Sequence, residues 1–129
     1  MENCIFCKIV AGEIPSVKIW EDEDFLAFLD INPVNYGHAL LIPKKHHEKM
    51  EDVSEDILKK IFVKAKILME KIKRGTEANY VTLSVVGLDV PHFHIHLIPR
   101  YFNDGLATFW PTKKYELNKD TEIAKKIKL

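Results

Sequence analysis

Three of the six histidines in this 129-residue chain fall at alternate positions of one apolar run, Pro91-His92-Phe93-His94-Ile95-His96-Leu97-Ile98-Pro99-Arg100. Along an extended strand successive side chains point to opposite faces, so His92, His94 and His96 share a face while Phe93, Ile95 and Leu97 turn toward a core. Neighbouring imidazoles then stand about 6.6 Å apart, from a rise of about 3.3 Å per residue. A row of weak bases against an apolar layer is costly unless the rings are hydrogen-bonded, metal-bound or used in chemistry. Satisfied strand residues would explain a lone histidine better than three in register. A catalytic zinc site needs another ligand and an open position, and three histidines of one strand do not easily reach one ion. Nucleophilic catalysis fits best. A neutral ring whose Nδ1–H is tied to a carbonyl presents its Nε2 lone pair to an electrophilic phosphorus, and neighbouring imidazoles and backbone N–H groups steady the phosphoryl oxygens.

Cys4 and Cys7 are the only cysteines and form a C-x-x-C pair at the start of the chain. Redox pairs of that spacing follow a strand in a βαβ unit, so half of a structural zinc site is the preferred reading, pending two further ligands.

The elements that must position these residues follow from pattern. IFCKIVAG reads as a short helix ending at Gly12. VKIWED and FLAFLD, separated by the acidic turn at 21–24, read as a hairpin. INPVNYG is a loop, and HALLIP a strand that Pro43 ends. From Ser54 to Gly75, Ile57, Leu58, Ile61, Phe62, Ala65, Leu68, Met69 and Ile72 recur at helical spacing, with Ser54 as N-cap and Gly75 as C-cap. NYVTLSVVG and FHIHLIP are two more strands. The order predicts an α+β fold, a mostly antiparallel five-stranded sheet with one long helix and a short N-terminal helix, in a single domain over residues 1–129.

Lys+Arg and Asp+Glu each total 19, a formal net charge of zero, which removes the electrostatic footprint of a general nucleic-acid or anionic-membrane binder. MENCIFCKIV has neither a basic n-region nor a long apolar h-region, and no run approaches the ~18 apolar residues of a spanning helix, so a cytoplasmic location is expected.

His92-Phe93-His94-Ile95-His96-Leu97-Ile98 resembles the His-φ-His-φ-His-φ-φ motif (φ apolar) of the histidine triad, or HIT, family. CIFCKIVAGEIPS, EDEDFLAFLDINP and GHALLIPKKH resemble segments of its Hint-like branch in the same order, so the likeness runs from about 4 to about 110. Residues 111–129 are then a C-terminal extension with a mobile, lysine-rich end. The resemblance implies that His94 is the nucleophile that takes the nucleoside phosphate, that His96 and His38 surround that phosphate, and that Asp30 binds the ribose hydroxyls. It also implies a base pocket of Ile5, Phe6, Ile9, Phe28 and Ile31, and a homodimer to which the C-terminal segment contributes; for Trp110 that role and local packing are both open. Some members hold structural zinc, which here implies Cys4, Cys7, His46 and His92, with His47 open as an alternative to His46. Without zinc, His92 is simply another member of the triad.

The implied activity is that of a nucleotide hydrolase or transferase working through a nucleotidyl-histidine, with a purine nucleoside monophosphate or its conjugates as ligand. Cleavage of a P–N bond, as in nucleoside phosphoramidases, is the leading expectation. Dinucleoside polyphosphate hydrolysis and nucleotide binding with vestigial catalysis are the alternatives. One departure bears on this choice. The Asn pair and Gly-Gln-Ser/Thr segment usual before the triad are replaced by SVVGLDVP, so no leaving-group residue carries over. Ser84 and Asp89 are candidates by chain position alone, and a turn role is expected for Asp89.

Overall fold

A computed structural model of the protein describes residues 3–129. It contains helix α1 (Ile5–Val10), strands β1 (Lys18–Glu21), β2 (Phe25–Leu29) and β3 (Ala39–Pro43), and helix α2 (Glu55–Thr76) after a short 3-10 turn. Strands β4 (Tyr80–Ser84) and β5 (Ile95–Arg100) and helix α3 (Lys119–Ile127) complete it. All strand pairs are antiparallel, in the spatial order β1-β2-β3-β5-β4. The α+β architecture with a five-stranded antiparallel sheet is therefore as expected.

Each element has a local cause. The Asp22 carboxylate accepts the backbone N–H groups of Asp24 and Phe25, both at 2.8 Å, closing the β1–β2 turn. Ser54 caps α2 through the Ile57 N–H, and acidic Glu55 and Asp56 occupy the first turn where the helix dipole favours them. The C-terminus of α2 departs from expectation. Gly75 lies inside the helix, and the left-handed closing residue is Glu77 (φ 55°). Thr76 prolongs the helix by donating its hydroxyl to the Ile72 carbonyl at 2.6 Å, and Tyr101 Oη–H donates to the Thr76 carbonyl at 2.8 Å.

The sheet is covered on both faces, which explains why β2 and β3 are buried almost without interruption. On one side Ile61, Ala65, Leu68 and Ile72 of α2 pack on Phe25, Ala27, Ala39, Leu41, Phe93, Ile95 and Leu97. On the other, Cys4, Phe6 and Ile9 from the α1 region pack on Leu26, Phe28, Leu40 and Ile42. The alternation read from the histidine run thus holds: its apolar members face α2 and its histidines face α1.

The ladder itself is shorter than the sequence suggested. β5 starts at Ile95, so His92, in a bend, and His94 lie beyond the paired strand. Pro43, at the end of β3, has no N–H with which to continue the pairing. Its carbonyl instead accepts a ring N–H of His92 at 2.8 Å, while the Phe93 N–H donates to the His47 carbonyl at 2.6 Å. The lysine-rich end contains a helix that sequence reading left out. In α3, Asp120 and Glu122 sit near the N-terminus and Lys125 and Lys126 near the C-terminus, matching its dipole, and its residues stay largely exposed.

Candidate active site

His94 is the centre of the site. Its ring is 1% exposed, and Phe6 meets it edge-on with ring centroids 5.1 Å apart. Nδ1 donates to the carbonyl of His92 at 2.7 Å, which fixes the neutral tautomer with the lone pair on Nε2. That Nε2 is enclosed and makes no hydrogen bond among the described residues. The carboxylate of Asp89 approaches it to 3.2 Å but out of hydrogen-bonding alignment. A buried nitrogen left open is costly in a ring that only packs, and useful in one that attacks.

The second layer is a short proton-ordered chain. The Val34 N–H donates to Nδ1 of His38 at 3.0 Å, which puts the proton of neutral His38 on Nε2. That N–H faces Nδ1 of His96 at 2.9 Å, so His96 keeps an N–H on Nε2 as a free donor. The His94 and His96 ring centroids are 4.9 Å apart, closer than the rise of the strand alone would put them. Burial pushes the pKa of His38 and His96 below the ordinary histidine value, in each case against nearby carboxylates that work to raise it. Both rings are thereby kept neutral and available as hydrogen-bond partners.

Asp30 stands beside this chain. Its Oδ1 accepts the Asn32 N–H at 2.9 Å, and its Oδ2 lies 3.6 Å from His38 Nε2. Of the expected base pocket, Phe6, Ile9 and Phe28 come together in one buried cluster. Ile5 and Ile31 do not join it; Ile31 is 87% exposed. Asp89, a candidate by chain position for which a turn role was expected, sits in a bend and also brings its carboxylate to 3.2 Å from Nε2 of His94. Sequence offered only its distance along the chain. Ser84 pairs with His96 across β4 and β5.

Cys4, Cys7, His46 and His92 form a second cluster, with one ligand atom from each lying within 4.8 Å of all the others. Sγ of Cys4 is 3.3 Å and Sγ of Cys7 is 3.5 Å from Nδ1 of His92, and Cys7 Sγ is 3.3 Å from Nδ1 of His46. His46 therefore enters the cluster and His47 does not. His92 gives its Nε2–H to Pro43 and turns its Nδ1 lone pair to the sulfurs, the arrangement in which imidazole binds a metal. Burial, and then Cys4 beside it, push the Cys7 thiol up to about 11, and both cysteines are free. Two thiols and two imidazoles fit a closed tetrahedral zinc site by their donor chemistry.

The fold and this arrangement of histidines are those of a histidine triad domain. The HIT domain family model matches residues 11–103, and the chain belongs to that family. Over 96% of its length and 80% of the relative's, it is 39% identical to adenosine 5'-monophosphoramidase HNT1 of Saccharomyces cerevisiae. A crystal structure of a HIT family member from Bacillus subtilis superposes with a TM-score of 0.86 at 38% identity, covering 97% of this chain and 94% of that one. A Zn-bound histidine triad family protein from Mycobacterium smegmatis superposes with a TM-score of 0.78 at 30% identity, covering 87% and 85%. Such relatives support a nucleotide hydrolase.

Proposed function

We propose that this protein hydrolyses nucleoside phosphoramidates through a nucleotidyl-histidine on His94. One observation carries the reading: His94 is buried, its tautomer is fixed by the His92 carbonyl, and its Nε2 has no hydrogen-bond partner among the described residues. The lone pair on Nε2 attacks the α-phosphorus, an N–P bond to His94 forms, and the P–N bond to the leaving amine breaks. The departing nitrogen takes up a proton and leaves as an amine. Water then attacks the same phosphorus, the His94–P bond breaks, and the nucleoside monophosphate departs as the proton of water passes to solvent. His96 Nε2–H is placed to hold a phosphoryl oxygen, with His38 fixing its tautomer. Asp30 accepts from the ribose hydroxyls, and of the expected base pocket Ile5 and Ile31 keep exposed apolar surface for a purine, while Phe6, Ile9 and Phe28 are buried.

In the same reading, Cys4, Cys7, His46 and His92 hold one structural zinc ion. Those residues would hold the ion between the start of α1, the loop after β3 and the triad segment. The metal supplies rigidity there and no chemistry at phosphorus.

The test is mass spectrometry of protein quenched during turnover of adenosine 5'-phosphoramidate, beside His94→Ala. An AMP-sized adduct on the peptide carrying His94, absent from the variant together with turnover, is the expected result. Turnover in His94→Ala would remove His94 as nucleophile. AMP binding by a wild-type chain that forms no adduct and turns over neither phosphoramidate nor dinucleoside polyphosphate would leave a binding protein.

A further inference from the structure

Asp89 has no place in the mechanism just given, yet its Oδ1 stands 3.2 Å from the nitrogen that must attack phosphorus. A nucleophile and its electrophile need to come within about 3–3.5 Å before reaction. The carboxylate and the α-phosphorus therefore claim the same space, and substrate binding must turn Asp89 aside. It is built to turn. The side chain is 62% exposed and follows Gly87, whose φ of 76° shapes an open bend between β4 and the triad segment. Where it stands, the carboxylate is charged: burial pushes its pKa up, but its own and Val90's backbone N–H groups help to hold it below the ordinary value. Turned outward into water, it remains an ordinary ionised carboxylate at about pH 7.

In-line displacement sets the leaving group opposite Nε2. Because His94 is enclosed on its own side, the leaving group faces outward, to the mouth where Asp89 lies. A groove of about 660 Å³ that His94 helps to line is also lined by Leu88, next to Asp89, and by Glu48, Lys49 and Glu51. Two carboxylates against one ammonium leave that wall negative as well. The unpartnered Nε2 of His94 marks where the chemistry begins, and the charges mark what can extend from it.

We propose that Asp89 is a specificity-determining residue that selects substrates whose leaving amine carries a further positive charge, and excludes those whose leaving group is anionic. The proposal rests on the phosphoramidase reading and narrows it, since sulfate, polyphosphate and carboxylate-bearing leaving groups all meet the same negative mouth.

A matched pair tests it: the adenosine 5'-phosphoramidates of 1,4-diaminobutane, which keeps an ammonium, and of 4-aminobutyrate, which keeps a carboxylate. Wild type should favour the diamine conjugate in kcat/KM by about tenfold, the scale of one or two unit charges a few ångströms away in a wet site. Asp89→Asn should bring the ratio near one, and Asp89→Glu should restore most of it. An unchanged ratio in Asp89→Asn overturns the assignment. Equilibrium binding of both conjugates to His94→Ala, with and without Asp89→Asn, reads the same preference without turnover. A wild-type chain that cleaves neither conjugate defeats the phosphoramidase reading alone, provided that binding preference exists and disappears with Asp89. Equal affinities for the two conjugates defeat the role of Asp89.

Discussion

His38 and His96 share one hydrogen bond, and burial acts on both in the same direction. Each has its pKa lowered from the ordinary 6.5 chiefly by burial. As pH falls, the unfolded chain takes up these protons first, so the folded state is favoured fully above 6.5 and loses ground on acidification toward the lowered values. Thermal melts from pH 8 to pH 5 should show Tm falling below about pH 6.5, and a shallower fall in His38→Asn and His96→Asn. A slope unchanged by both substitutions would remove these two rings as its source. Much at this scale was legible in the chain. Alternation alone separated His92, His94 and His96 from Phe93, Ile95 and Leu97. Sequence could not choose between His46 and His47, because adjacent residues in a loop differ only in where the backbone points them. Nor could it bring Asp89 to His94, since the bend at Gly87 that does so has no periodicity.

The helices and strands carry their own signals to different degrees. α2 could be read directly, because Ile61, Ala65, Leu68 and Ile72 repeat at helical spacing and Ser54 caps the first turn. Its end could not, since Thr76 is held by contacts with Ile72 and with Tyr101, far along the chain. The start of β5 was misplaced for a similar reason: Pro43, on another strand, decides where pairing stops. α3 has weak apolar content, and only its charge order marks it as a helix. Glu77 is strained in its left-handed conformation, where glycine is favoured. Glu77→Gly should therefore raise stability by up to about 1 kcal/mol in urea unfolding, the gain at the αL position outweighing glycine's greater chain entropy. Gly37 is the opposite case, at φ 101°, where an added Cβ would stand 2.6 Å from Cγ2 of Thr76. Gly37→Ala should cost about 1–3 kcal/mol in the same experiment and disturb the neighbouring His38.

Across the molecule, β4 is an edge strand, and Leu83 on it lines a groove with Phe109 and Trp110, all three exposed. Trp110 meets Phe109 edge-to-face at 5.0 Å and is not buried within its own chain. Unpaired backbone beside apolar side chains suits a second copy of the chain, and we expect a homodimer joined along β4. Sedimentation should give a dimer that Leu83→Asp converts to a folded monomer; a wild-type monomer at micromolar concentration would end that expectation. The strand order has a different consequence. β5 is the last strand along the chain but lies between β3 and β4 in the sheet. A growing polypeptide can form the β1–β2–β3 meander early, yet β3 keeps an open edge and β4 has no neighbour until β5 emerges and inserts. The segment bearing His94 and His96 is thus the keystone of folding as well as the centre of the proposed site. Any chain that has closed its sheet has brought the strand that follows His94 into place by the same event, and no half-folded intermediate can carry a finished site.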